Sequence, residues 1–345
     1  MKKLLLLFAI AALALPCAAR DKARGSQVAG VAFYNLENLF DTIPNNPLGR
    51  DAEFTPNGER QWDGRKYWSK IHNLAYAISH MTSPTTPYGP AIIGVSEIEN
   101  RSVLDDLVAD PQIAAWNLQV VHHDSPDRRG VDVGCLYNPK YFQLINVTNH
   151  TATAIPYPTR DQMCVYGSLM GQPLAVIVNH WPSRLGGQEQ SSPNREAAAA
   201  LSLAIADSVW AIHPEAGVII MGDLNDDPHD KSCAKVLGAK KKAKGVGPHQ
   251  FFNPWWKKLD DGIGTLAYKS SWNLFDQIIV SGNLVNVDDD AQWQFMRADV
   301  LNWEFLRDTD GNRQGYPLRT FSAGAYLNGY SDHFPTEIFL TRKVY

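Results

Sequence analysis

The chain reads as an α/β protein in which two packed sheets are covered by helices. Strand-like apolar runs recur along nearly its whole length. Several are unbroken β-branched or aliphatic stretches, the pattern of strands buried on both faces. Amphipathic helical periods fall between them, which suits sheets stacked face to face with helices outside.

The runs lie at 28–34, 91–96, 118–122, 131–137, 163–169, 174–179, 218–221, 277–281 and 336–340. Tyr67, Ile71, Leu74, Ala75 and Ile78 share one helix face, and Leu201, Ile205, Val209 and Ile212 share another. Ser102 is placed to cap a third helix with Asp105 in its first turn. Pro228 suits the first turn of a fourth. Two long loops, 40–61 and 240–271, are rich in Gly, Pro and Asn and are expected to set substrate choice. No repeat, low-complexity tract or linker divides the chain, so residues 28–345 are expected to form a single catalytic domain.

Residues 1–19 have the pattern of an export signal: Lys2 and Lys3, an apolar stretch at 4–15, and Cys17-Ala18-Ala19 as a small-residue cleavage site. Cleavage after Ala19 is favoured. A lipid anchor on Cys17 is the lesser alternative, because Pro16 suits a lipidation site poorly. The stretch is short for a membrane span and no later segment is apolar enough for one, so an exported, periplasmic or extracellular protein is expected. Removing the signal leaves Cys135, Cys164 and Cys233, an odd number that is no disulfide framework. Cys135 and Cys164 lie in strand-like runs and read as small buried apolar residues, although the two could pair in an oxidising compartment. None has Cys-x-x-Cys spacing, which argues against zinc.

The formal charge of −4 becomes more negative once Lys2 and Lys3 are lost. A dedicated duplex binder draws much of its affinity from a basic surface. The basic cluster at 240–244 sits in a Gly-containing stretch and reads as a solvated loop. Charge therefore counts against tight nonspecific duplex binding.

Chemistry is concentrated where strand-like runs begin or end. Glu97 closes one run, and a carboxylate there needs an ionic partner or a cleft. A divalent ion and a nearby Arg are equally good partners on this fragment alone. Asn35 and Glu37 follow the first run, and alternation would aim both the same way, supplying a second metal ligand in Glu37 and a phosphate-orienting amide in Asn35. Asp223 and Asn225 follow another with the same two-residue spacing, which suits a carboxylate that activates water and an amide that positions it. His180 ends a run and His333, beside Asp332, precedes the last. Either imidazole can hold a proton or stabilise an oxyanion near neutral pH. Asp276 and Asp132 are the candidates to orient such an imidazole. In stacked sheets the strand ends along one edge converge, so these residues are expected in one cleft.

Phe33-Tyr34-Asn35-Leu36-Glu37, Ser96-Glu97, Asn179-His180, Gly222-Asp223-Leu224-Asn225, Asp276-Gln277-Ile278 and Ser331-Asp332-His333 together resemble the endonuclease/exonuclease/phosphatase superfamily, the deoxyribonuclease-like fold. Order and spacing agree from about Val28 to the C-terminus. The resemblance implies a four-layer α/β/β/α sandwich with Mg²⁺ or Mn²⁺ in a cleft at one edge. It implies Glu97 as main metal ligand, Asn35 and Glu37 beside it, and Asp332 on the metal or on a second one. It gives Asp223 the nucleophilic water and Asn225 the positioning of that water or of the phosphate. His333, oriented by Asp276, and His180 take acid–base and phosphate-stabilising roles. Pairing of His180 with Asp132 is a further expectation. The family's usual Gln before the metal-binding Glu is Ser96 here, which changes the support behind that ligand. Residues 180–187 and 264–276 look like an exported bacterial branch, and Arg184 there is a candidate phosphate clamp.

The fold does not choose among the superfamily's substrates. The first expectation is an exported phosphodiesterase acting on DNA or RNA, with Trp181, Trp255, Trp256 and Trp272 as stacking faces. The second is a hydrolase of small phosphoesters such as sugar, inositol or nucleotide phosphates. The third is a degenerate member that only binds a partner.

Overall fold

The computed structural model describes residues 25–46 and 48–345. The expected export signal lies outside them. In chain order the strands are Gly25–Leu39 (β1), Ile92–Ile98 (β2), Gln119–His122 (β3), Asp132–Tyr137 (β4), Phe142–His150 (β5), Gln162–Leu169 (β6), Gln172–His180 (β7), Gly217–Asp223 (β8) and Phe251–Phe252 (β9). They continue as Leu266–Tyr268 (β10), Ser271–Asn273 (β11), Asp276–Ser281 (β12), Gln294–Val300 (β13), Phe321–Ser322 (β14), Ala325–Tyr326 (β15) and Thr336–Val344 (β16). The helices are Gly64–Ser79 (α1), Arg101–Ala109 (α2), Gln188–Ile212 (α3) and the short Trp256–Asp260 (α4).

Twelve strands form two six-stranded sheets, ordered β13-β16-β1-β2-β4-β3 and β5-β6-β7-β8-β12-β9. All nine expected runs are strands of these sheets. The unbroken aliphatic runs became the central strands: every residue of β2, β8 and β12 is buried. Sequence reading missed the two-residue β9 and, by reason of position, β5 and β13. The last two are edge strands with mostly accessible side chains, so neither carries a continuous apolar run.

Phe33, Val176, Val178, Ile219, Met221, Ile278 and Ile338 fill the space between the sheets. The sheets come close at Gly94, where an added Cβ would stand 2.5 Å from Met221 Sδ. On the outer face of the first sheet, Ile71, Leu74 and Ile78 of α1 and Leu104 and Leu107 of α2 pack on Ala32, Tyr34, Ile93 and Val95. Ala198, Ile205 and Trp210 of α3 cover Ala175, Ile177, Val218 and Ile220 of the second. The result is the four-layer α/β/β/α order.

Three local expectations need correction. Asn100, not Ser102, caps α2: its Oδ1 accepts from Val103 N at 3.2 Å, while Ser102 Oγ donates to that same oxygen. Pro228 starts no α-helix but lies in a turn ahead of a single π-turn, Ser232–Val236. Cys135, Cys164 and Cys233 are all free and buried. Cys135 faces the core between the sheets and Cys164 faces the α3 layer, so a sheet separates the two thiols.

Register brings the functional ends together. β1 and β2 run parallel, as do β7 and β8, with His180 opposite Asp223 and Asn35 opposite Ser96. β12 runs antiparallel to β8, so its first residue, Asp276, faces Asp223. The basic cluster at 240–244 sits at the other end: Lys240 bridges Phe252, which pairs with Val280 near the close of β12. The last part of the long loop that contains it reaches the site edge, where Thr265 O accepts from Phe334 N.

Candidate active site

Asn35 leaves β1 with its amide Nδ2 donating to Asp223 Oδ2 at 3.0 Å and its Oδ1 accepting from Glu37 N. The chain then takes two left-handed residues, Glu37 (φ 46°) and Asn38 (φ 49°). Alternation therefore fails at this point, and Glu37 turns away from the cleft. Its Oε1 accepts from Arg319 Nε at 3.1 Å, and its Oε2 accepts from Thr320 N at 2.7 Å and lies 3.6 Å from Lys70 Nζ. Its partners Arg319, Thr320 and Lys70, rather than Asp223 or either imidazole, draw Glu37 away from the metal-ligand role expected of it.

Glu97 is also left-handed (φ 59°), at an irregularity in the β2–β4 pairing. Its Oε1 accepts from Arg129 Nη1 at 3.0 Å, and its Oε2 accepts from Asn38 N at 3.0 Å with Arg129 Nη2 at 2.9 Å. Burial pushes this carboxyl up, but the adjacent Arg129 guanidinium outweighs it and holds Glu97 well below the usual carboxylate range. Sequence left an Arg and a cation as equal partners for Glu97, and the structure supplies the Arg.

Gly222 lets Asp223 reach the cleft. Its φ of 153° is rare for other residues, and a Cβ there would stand 2.1 Å from Asn179 O. Asp223 Oδ1 accepts from Asn225 N at 3.1 Å. Around its carboxylate stand His180 Nε2 at 3.6 Å and His333 Nε2 at 3.9 Å, both measured to Oδ2. Burial, reinforced by the charges of Asp276 and Glu97 and opposed by His333, pushes Asp223 up to about 7. Asn225 is held by its Nδ2 donating to Trp181 O at 3.0 Å.

The two histidines sit in opposite electrostatic states. His333 Nδ1 lies 2.7 Å from Asp276 Oδ2. Burial alone would lower it, but Asp276 and Asp223 raise it well above the ordinary imidazole value, so it is a cation. His180 is buried beside Arg160 and Arg129, which together with burial push it well below that value, so it is neutral. Its Nε2 lies between Asp223 and Glu97, 3.9 Å from Glu97 Oε1, and its Nδ1 finds no hydrogen-bond partner among the described residues.

Asp132 does not meet His180. Its Oδ2 lies 3.0 Å from His122 Nε2, and its Oδ1 accepts from Ser125 N. Arg184 is likewise no free clamp: its Nε donates to Asn225 O at 2.9 Å and its Nη2 to Asp230 at 2.7 Å and Asp227 at 3.2 Å. It is a strut behind the Gly222–Asn225 turn. Asp332 stays partly open at the rim, with Oδ2 accepting from Arg319 Nη2 at 2.9 Å and Oδ1 3.9 Å from His333 Nε2. Trp181 and Trp255 are buried, with their indole N–H groups donated to Asn179 Oδ1 and Ile278 O, so they offer no stacking face.

Sequence reasoning missed Asn38, Arg129 and Arg319. Arg129 precedes a left-handed Gly130 in a tight turn, a signal that could have drawn notice. Arg319 is positioned only by contacts formed on folding.

Asp223, Asp276 and His333 present ligand atoms within 4.8 Å of one another, one of three such groups that could hold a metal ion among the described residues. Residues 30–342 match the model of the endonuclease/exonuclease/phosphatase family. The chain belongs to this family. Its members are phosphoester hydrolases that depend on a divalent metal. Solved structures share the fold. Humanized D. rerio TDP2 is 13% identical, with 91% of this chain and 98% of that one covered at a TM-score of 0.56. D. rerio TDP2 complexed with single-strand DNA product, also 13% identical, covers the same shares at 0.54. A mannosyl-6-phosphatase of Bacteroides thetaiotaomicron is 16% identical, with 90% and 99% covered at 0.53. No curated protein matches the chain in sequence. No helix among the described residues is long and apolar enough to cross a membrane.

Proposed function

We propose that this chain is an exported, divalent-metal-dependent hydrolase of small phosphoesters. The observation that carries the chemistry is one buried carboxyl, Asp223, pushed up to about 7 between a neutral and a cationic imidazole. A base with a pKa near the working pH combines a useful ionised fraction with good proton affinity. Asp223 takes the proton of the attacking water. His333, only 3.9 Å from it, stands on the same side of the phosphorus and donates to a non-bridging oxygen. His180 donates through Nε2 to a second such oxygen, and its neutrality keeps Asp223 from being over-stabilised as a carboxylate. In-line displacement then sends the departing oxygen away from Asp223, toward Glu97 and Asn38.

The donor set fits a hard cation such as Mg²⁺ or Mn²⁺. Glu97 is held well below the usual carboxylate range and faces Arg129, a positive group that a cation would share or displace, while waters and phosphate oxygens would complete such a shell. Glu97 would hold it, with Asp332 the second accessible carboxylate. Bound there, it would lower the charge cost at the phosphoryl and departing oxygens.

Small esters are favoured over nucleic acid because Trp181 and Trp255 are buried and Trp256 and the lysine cluster lie at the far end of β12, leaving of the four tryptophans half-buried Trp272, packed on Phe334, near His333. Nucleic acid is the second reading, supported by the likeness to TDP2 solved with single-strand DNA product. Export rests on the pattern of residues 1–19. Purified protein lacking those residues would be assayed on plasmid DNA, RNA, bis-p-nitrophenyl phosphate and sugar phosphates, with Mg²⁺ or EDTA. Turnover of small esters that EDTA abolishes, without nicking, is expected. Efficient nicking would transfer the proposal to nucleic acid. No turnover on any substrate would leave a degenerate binding protein.

A further inference from the structure

A cavity of about 230 Å³ opens beside the reaction centre, between residues 54–62 and the β14–β15 hairpin. Glu37 and Asn38 form its inner wall. Asn38 also belongs to the centre, donating from its backbone to Glu97 and accepting from Arg129 Nη2 at 2.6 Å. The cavity therefore lies on the Glu97 side, where in-line geometry sends the departing oxygen.

Two guanidinium groups line it, each held in place from behind. Arg319 is fixed by Glu37 and Asp332. Arg60 is fixed by Glu53, 2.6 Å from its Nε, and lies 5.2 Å from the ring centre of Phe321. A guanidinium carries five N–H donors. Arg319 uses two in these bonds and Arg60 uses one, so both keep donors for whatever fills the space. Each positive charge is matched by the carboxylates that orient it. The cavity thus offers fixed donors and the apolar faces of Phe54 and Phe321 without a large excess of charge. Its volume is below the roughly 300–1,000 Å³ of pockets that enclose drug-sized ligands, which leaves room for one ring and not for a base with its ribose.

We propose that this cavity is the leaving-group subsite and accepts a single hydroxylated ring, a sugar or cyclic polyol. Arg60 and Arg319 donate to the ring hydroxyls. The proposal rests on the small-phosphoester reading and narrows it to phosphomonoesters of such alcohols.

The test compares kcat and KM for a hexose 6-phosphate and for p-nitrophenyl phosphate, which has no hydroxyl, in wild type, Arg60→Ala and Arg60→Lys. Arg60→Ala should lower the preference for the hexose 6-phosphate at least tenfold, mainly through KM, and Arg60→Lys should restore part of it. Calorimetric titration of hexose 6-phosphate into Asp223→Asn, with and without Arg60→Ala, should show the same loss in affinity. An unchanged preference together with unchanged binding overturns the subsite while leaving the hydrolase reading intact. Stronger wild-type preference for a hexose bisphosphate or a nucleotide also overturns it, because a second anion or a base would then be what the cavity selects. Failure of wild type on p-nitrophenyl phosphate as well removes the hydrolase reading, and the subsite with it.

Discussion

Arg129 meets Glu97 with two nitrogens on two oxygens, at 3.0 and 2.9 Å, on the carboxylate proposed to hold a cation. Such fork-to-fork pairs are among the stronger charge-assisted contacts. A cation arriving at Glu97 must share or displace this guanidinium, whose side chain is 45% exposed and, once released, could turn toward a phosphate. Arg129→Ala should therefore bind Mn²⁺ more tightly without substrate, by about tenfold or ~1.4 kcal/mol, and bind inorganic phosphate more weakly. Titration calorimetry checks both. Weaker Mn²⁺ binding would mean that Arg129 instead props Glu97 in its working position.

Asp223→Asn keeps the size and most contacts of the side chain but removes the proposed base. Turnover should fall by about 10²–10⁴, with an unchanged circular-dichroism spectrum and melting curve. His333→Ala should fall comparably. Near-wild-type rates in either variant would remove the roles assigned to them.

The rate should depend on pH in a bell. Asp223 must be ionised, so activity rises as pH climbs through about 7. His333 must keep its proton, and because Asp276 raises it well above the ordinary imidazole value, the alkaline limb lies above that value. Asp276→Asn removes the main stabiliser of the imidazolium and should shift the alkaline limb to lower pH. A profile of kcat/KM against pH, measured for both proteins, tests the sign.

Glu337 is buried in β16 with Oε1 unpaired among the described residues, and burial pushes it up to about 8 against a partial offset by Arg297. The folded state therefore holds its proton more tightly than the unfolded chain does. That contribution to stability is complete below the unfolded value and is lost as pH rises through about 8. Glu337→Gln should abolish the loss and stabilise the protein at pH 9 by up to a few kcal/mol, with little effect at pH 5. Melting temperatures across that range decide it.

The sandwich was legible because its central strands carry unbroken aliphatic runs that only a two-faced core explains, and because strand ends in stacked sheets converge. Asn35, Glu97, His180, Asp223, Asp276 and His333 gather at one edge for that reason. Where the backbone leaves extended geometry, alternation stopped being a guide. The left-handed turn at Glu37 sent its carboxylate to Arg319, Thr320 and Lys70. Arg184 failed as a clamp for a different cause: an Arg in a glycine-rich loop looks free until the carboxylates of Asp227 and Asp230 are folded against it.

From its order of residues alone, this chain determined two sheets, one edge where their strand ends converge and the chemical types gathered there, since local periodicity and strand ends are properties of short segments. Only the tertiary structure decided which imidazole is pushed toward its charged form, that Arg129 covers Glu97, and that a small cavity adjoins the centre. Charge state and cavity shape are sums over neighbours distant in the chain, and no segment carries them by itself.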